Sequence, residues 1–130
     1  MAPPVLRIAR PTNQLGAVAH QYMRGLGLVE LGRFEDHQGF DGVMLGHPQH
    51  AWHLEFTHKH GETLTHAPLE EDLLVLYMPK REEWDQACAR MQQVGFLRVA
   101  ALNPYWDRDG ATFQDLDGYR VVLANREWVI

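Results

Sequence analysis

Cysteine is almost missing from this chain, as are basic blocks and long apolar runs. The one cysteine, Cys88, has no partner for an internal disulfide, which points to a reducing compartment and removes a thiolate metal cluster from consideration. It lies on the apolar stripe of a predicted helix, where small thiols pack and stay inert. Lys and Arg number 12 against 17 Asp and Glu, a formal charge of -5, and nowhere gather into a run able to displace phosphate counterions. Nucleic acid is therefore not expected as a partner. No apolar stretch approaches the roughly 20 residues a membrane helix needs. The opening MAPPVLRIAR also lacks the charged-then-apolar order of a signal peptide, so the expectation is a cytoplasmic protein with no membrane partner. What is present is an ordinary globular composition, 45% hydrophobic and 22% charged over 130 residues, enough for one domain with a buried core.

Histidine is locally abundant. The stretch HPQHAWHLEFTHKH, His47 to His60, holds five, and neutral imidazole is a common metal ligand. Whether they form a site depends on which element carries each. Residues Val5 to Arg10 alternate as a first strand, with Leu6 and Ile8 on one side and Arg7 and Ala9 on the other. Leu15, Val18, Ala19, Tyr22, Met23 and Leu26 then recur at helical spacing, with Asn13 as a candidate N-cap and Gly25 and Gly27 as stop signals. Three strand-like runs follow at Leu28 to Glu35, Gly42 to Leu45 and Ala51 to Thr57. The pattern then starts again. DLLVLYM, Asp72 to Met78, suits a strand covered on both faces, and Arg81 to Val94 carries the stripe Trp84, Cys88, Met91. Strands are expected near Phe96 to Ala100, Ala111 to Gln114 and Tyr119 to Leu123. By the same periods Trp52 and Trp84 belong to the core, and Trp128 docks the C-terminal tail.

This doubled strand-helix-three-strand order, ending in ATFQDLDGYRVVL, resembles the glyoxalase/bleomycin-resistance/dioxygenase family, the vicinal oxygen chelate superfamily. Thr112 to Gly118 looks like the family's phenylalanine followed by an Asp-Pro-Asp-Gly turn, with Leu116 in place of proline; Asp117 and Gly118 are expected to supply the side-chain cap and the permissive backbone. The resemblance implies an α+β fold of tandem βαβββ modules. Their curved eight-stranded mixed sheet would form an incomplete barrel around a cavity, with the helices outside. One domain is expected over 1–130, with module one at about 1–58, a connection at 59–71 and module two at 72–130. Members are commonly dimers, so a homodimer is implied.

Relatives that use a divalent metal hold it with His, Gln or Glu from the first and last strands of each module. The matching positions are Arg7, Glu55, Leu73 and Val122. A guanidinium has no free lone pair and the two aliphatic side chains have no donor, so only Glu55, with His53 beside it, could serve. The expectation is no metal and no cofactor; the alternative is one divalent ion. A separate site from loop histidines such as His58 and His60 competes with solvated histidines on a connection, and the absence of zinc spacing favours the latter.

Along AWHLEFT, then, Trp52, Leu54 and Phe56 should face a helix while His53, Glu55 and Thr57 face the cavity. Arg7 and Glu55 either pair with each other, or Arg7 and Arg120 offer forked donors to a ligand carboxylate or phosphate. His53 and Glu55 are the acid-base candidates. Tyr105 and Trp106 either stack on a planar ligand or serve packing and interfaces. The implied function is binding of a small planar or anionic molecule through Arg7, His53, Glu55, Tyr105, Trp106 and Arg120. The alternative is a lyase or dioxygenase of the same superfamily, using a non-standard metal set or acid-base chemistry at His53 and Glu55.

Overall fold

The computed structural model describes residues 2–129. Their contacts divide into two compact units, split between Thr65 and His66. Unit one runs β1 (Leu6–Pro11), α1 (Leu15–Leu26), β2 (Val29–His37), β3 (Phe40–Gly46) and β4 (Trp52–Lys59). Unit two runs β5 (Leu73–Tyr77), α2 (Arg81–Gln93), β6 (Leu97–Val99), a 3-10 turn (Pro104–Asp107), β7 (Gly110–Gln114) and β8 (Arg120–Ala124). The strands hydrogen-bond as two four-stranded sheets, ordered β1-β4-β3-β2 and β5-β8-β7-β6. In each, the first and last strands of the unit lie parallel and the remaining pairs are antiparallel. The tandem strand-helix-three-strand order is thus present in both halves.

α1 forms because its apolar residues recur at helical spacing. Val18, Ala19 and Tyr22 are buried, and the Tyr22 ring packs 4.8 Å from that of Phe56 on β4. α2 buries Trp84, Ala87, Cys88 and Met91 in the same manner, with the Trp84 indole donating to the Leu123 carbonyl at 2.8 Å. Each such fully buried large side chain stabilises by roughly 1.5–3 kcal/mol. Both helices also stop alike. Gly27 at φ 68° and Gly95 at φ 92° turn the chain left-handed. Leu28 N–H then donates back to the Met23 carbonyl and Phe96 N–H to that of Met91, closing the last turn.

Several expectations are corrected. The N-cap of α1 is Gln14, without a side-chain cap bond; Asn13 instead clamps the backbone of Leu64, accepting from its N–H at 2.8 Å and donating to its carbonyl at 3.0 Å. Gly25 is buried inside α1 and does not end it. β2 and β4 both run two residues beyond their expected ends and β3 is extended at both ends, so His58 and Lys59 belong to a strand. β5 is half-buried along Leu73 to Leu76 and exposed at Tyr77, not covered on both faces. Trp52 stacks on the His50 ring at 5.5 Å at the rim of its sheet, and Trp128 is 61% exposed and docks nothing. In the β7–β8 turn, Asp115 also acts as a side-chain cap, which the sequence reading did not name: its Oδ1 accepts from the N–H of Asp117 at 2.8 Å and of Tyr119 at 3.0 Å. Gly118, at φ 92°, supplies the turn's left-handed position as expected.

Candidate functional site

β4 sorts its side chains by the two-residue period of a strand. Leu54 and Phe56 are each 3% exposed, and Phe56 meets α1 through Tyr22, whereas His53 and Glu55 lie on the opposite, half-buried face. The parallel register puts Arg7 directly beside His53. The guanidinium bridges both: Arg7 Nε donates to His53 Nε2 at 2.9 Å, and Nη1 donates to Glu55 Oε2 at 3.3 Å. The Arg7–Glu55 pair is one of the two alternatives the sequence left open; the bond to His53 is the addition, and the partners lie 46 and 48 residues from Arg7.

An arginine Nε can only donate, so His53 Nε2 is the acceptor in this contact. The Arg7 and Glu55 side chains are 48% and 13% exposed, so their ion pair is wet at one end and sheltered at the other. Across the ladder, Met44 opposes Glu55 and Gly46 opposes His53. Gly46 is required by close approach: an added Cβ would lie 2.8 Å from His53 Cβ.

A divalent ion does not fit this donor set. The His53 lone pair that would bind it accepts from Arg7, and the Glu55 carboxylate is shared with the same cation. In unit two, the register Leu73 with Arg120 repeats that of Arg7 with His53, and Val122 stands two residues on, as Glu55 does. Neither Leu73 nor Val122 has a donor atom. Among the described residues no group of three or more His, Cys, Asp or Glu side chains converges. The loop histidines are spoken for separately. His58 Nδ1 bonds the Thr12 carbonyl at 3.0 Å, while His60 Nε2 bonds Asp41 at 2.8 Å. That contact raises the His60 pKa above its ordinary value; Asp41 is lowered, first by the Asp36 N–H and then by His60. The His47 and His50 rings meet tilted, with centroids 5.0 Å apart.

Arg120 is 8% exposed and shares its face with Gln114, whose Oε1 accepts from Arg120 Nε at 3.4 Å. Arg120 Nη1 is buried and has no hydrogen-bond partner among the described residues, and so is Thr112 Oγ1. Tyr105 and Trp106 occupy the 3-10 turn capped by Asn103, edge to face at 5.0 Å, with the Arg126 guanidinium 4.4 Å over the Tyr105 ring. Cys88 is buried, and burial raises its pKa, as suits an inert thiol. Sequence reasoning did not single out one further feature, a cleft of about 370 Å³ between α1 and β2–β3 lined by His20, Glu30, Arg33 and Asp41. It lies on the helix side of the sheet, away from Arg7. Its one arginine is already held by Glu30 at 2.7 Å, so we place the chemistry at the polar clusters on the sheets rather than in the larger hollow.

Comparison with known proteins agrees with this architecture. Residues 6–57 match the YycE-like N-terminal domain and residues 71–125 the YycE-like C-terminal domain. The chain is 40% identical over 124 residues to the uncharacterised protein YycE of Bacillus subtilis, covering 95% of this chain and 89% of that one. The crystal structure of Bacillus subtilis YycE, a protein of unknown function, superposes with a TM-score of 0.88, covering 95% and 90% of the two chains. Leishmania major glyoxalase I has the same fold at 19% identity, with a TM-score of 0.72 and coverage of 96% and 88%. So does TnmS3, an antibiotic binding protein from Streptomyces sp. CB03234, at 20% identity, with a TM-score of 0.64 and coverage of 95% of each chain. The chain belongs to the YycE-like family, and it shares the fold of the glyoxalase, fosfomycin-resistance and bleomycin-resistance proteins.

Proposed function

We propose that this protein binds a small planar or anionic molecule without the divalent metal used by relatives of its fold. The observation that carries the reading is Arg7: it stands where a metal ligand is expected and ties down both remaining donors, His53 Nε2 and Glu55 Oε2. A fixed cation takes the place of a bound one. Two of the five N–H groups of Arg7 are engaged in these bonds, and a guanidinium fork matches a carboxylate or phosphate. Within unit two, Arg120 is a candidate cation of its own, and Tyr105 with Trp106 is a candidate aromatic surface for a planar group. That TnmS3, an antibiotic binding protein, shares the fold supports a binding role.

Acid-base catalysis at His53 and Glu55 is the competing reading, and the hydrogen bonds weigh against it. A base needs its lone pair, and that of His53 is spent on Arg7 Nε. Metal analysis of protein purified without an affinity tag tests the proposal. The expected result is no stoichiometric metal; zinc, nickel, manganese or iron at one per chain, lost in Glu55→Gln, overturns it. Thermal unfolding across a panel of antibiotics, thiol adducts and small acids is the second arm. A selective ligand raises the midpoint by mass action, whereas a flat panel removes the binding role.

A further inference from the structure

Unit two carries a buried cation whose hydrogen bonding is incomplete. Arg120 is 8% exposed, and among the described residues no carboxylate pairs with it and its one hydrogen bond is the 3.4 Å contact from Nε to Gln114 Oε1. Its Nη1 has no acceptor among these residues. On the same face stands Thr112, 1% exposed, whose Oγ1 is also without a partner among them. The register relates the two. Gln114 opposes Arg120 and Thr112 opposes Val122, so Thr112 and Arg120 are diagonal neighbours on one face, well within the reach of an arginine side chain. Buried polar groups are almost always satisfied, and a buried charge is paired or coordinated. Two unmet groups side by side, one cationic and one a hydroxyl, call for one species that accepts from both.

We propose that Arg120, Thr112 and Gln114 form an oxyanion subsite that takes the carboxylate or phosphate of a bound molecule. One anionic oxygen accepts from Arg120 Nη1 and from the Thr112 hydroxyl. Gln114 holds the guanidinium through Nε, so that Nη1 points at the anion. Val122 and Val99, on the same face in the neighbouring register positions, provide apolar surface that strengthens the charged hydrogen bonds by keeping water off them. The inference rests on the binding role proposed above and names the group by which the ligand is held.

The test uses the full chain at fixed pH and ionic strength, with inorganic phosphate and benzoate as probes for the two sources of the oxyanion. At least one probe is expected to raise the unfolding midpoint saturably. Thr112→Val is the discriminating variant. It removes a buried hydroxyl that has no partner in the free protein, so its unliganded midpoint stays level or rises, while affinity for the probe falls about tenfold, the worth of one hydrogen bond to a charged group. Arg120→Lys keeps the charge, loses the fork and also weakens binding. Should either variant fold poorly, the wild-type Arg120 Nε–H resonance, identified by its loss in Arg120→Lys, moves saturably with the probe. Probes that bind wild type and both variants equally, with the Arg120 resonance unmoved, overturn the subsite and leave the binding role standing. Binding of neutral panel compounds alone does the same. No binding by any compound removes both.

Discussion

Arg7 shows how much one side chain decides. A histidine at its register would bring a lone pair to the face; the guanidinium brings only donors, and it captures the lone pairs of His53 and Glu55 that were already there. Asp115 decides a turn in a comparable manner. It is 5% exposed and accepts from two part-buried backbone N–H groups, so Asp115→Ala leaves those donors to water or unmet, at a cost of about 1 kcal/mol. The denaturant midpoint is expected to fall with an unchanged slope. His60 titrates usefully. Its pKa is raised above 6.5 by Asp41, so its stabilising effect is complete below 6.5 and disappears as pH rises through the folded-state value. Comparing His60→Gln with wild type in urea should therefore show a small deficit on the acid side that shrinks as pH rises through the raised folded-state value. A deficit that grows with pH contradicts the assigned direction.

The two helices end by one device used twice, and its cost is local. Gly27 and Gly95 hold φ of 68° and 92°, where a Cβ meets the following carbonyl. Gly27→Ala has nothing within 4 Å of the new methyl, so its effect isolates backbone strain, about 1–2 kcal/mol in thermal or urea unfolding. An unchanged midpoint rules out the left-handed stop at that position. The strands divide polar from apolar by alternation, but alternation does not say where a strand ends. β4 continues through Lys59 because its backbone stays paired with β3 as far as Phe40, a long-range contact that no local signal at His58 announces.

Taken as a whole, the chain is one structural unit written twice with different chemistry on equivalent positions: Arg7, His53 and Glu55 in the first, Leu73, Arg120 and Val122 in the second. The duplication gives each half a polar cluster, a triad that satisfies itself and a cation that does not. Because no position in either cluster presents a converging donor set, dialysis against a chelator should leave both the unfolding midpoint and any ligand-induced shift unchanged. A drop in either, restored by one divalent metal, contradicts the fixed-cation reading.

The sequence by itself determined the order of the elements, the assignment of Leu54 and Phe56 to a core face opposite His53 and Glu55, and the lack of a metal-binding lone pair at Arg7, Leu73 and Val122. These follow from periodicity and side-chain chemistry, which are properties of short stretches. Only the tertiary structure decided that Arg7 bridges His53 and Glu55, that Asn13 clamps Leu64 instead of capping α1, that Asp115 caps the β7–β8 turn, and that Arg120 and Thr112 are buried with unmet hydrogen bonds among the described residues. Two of these are contacts between residues 46 to 51 positions apart, and the others depend on how a turn closes and on what covers each face, quantities that appear only when the backbone has folded.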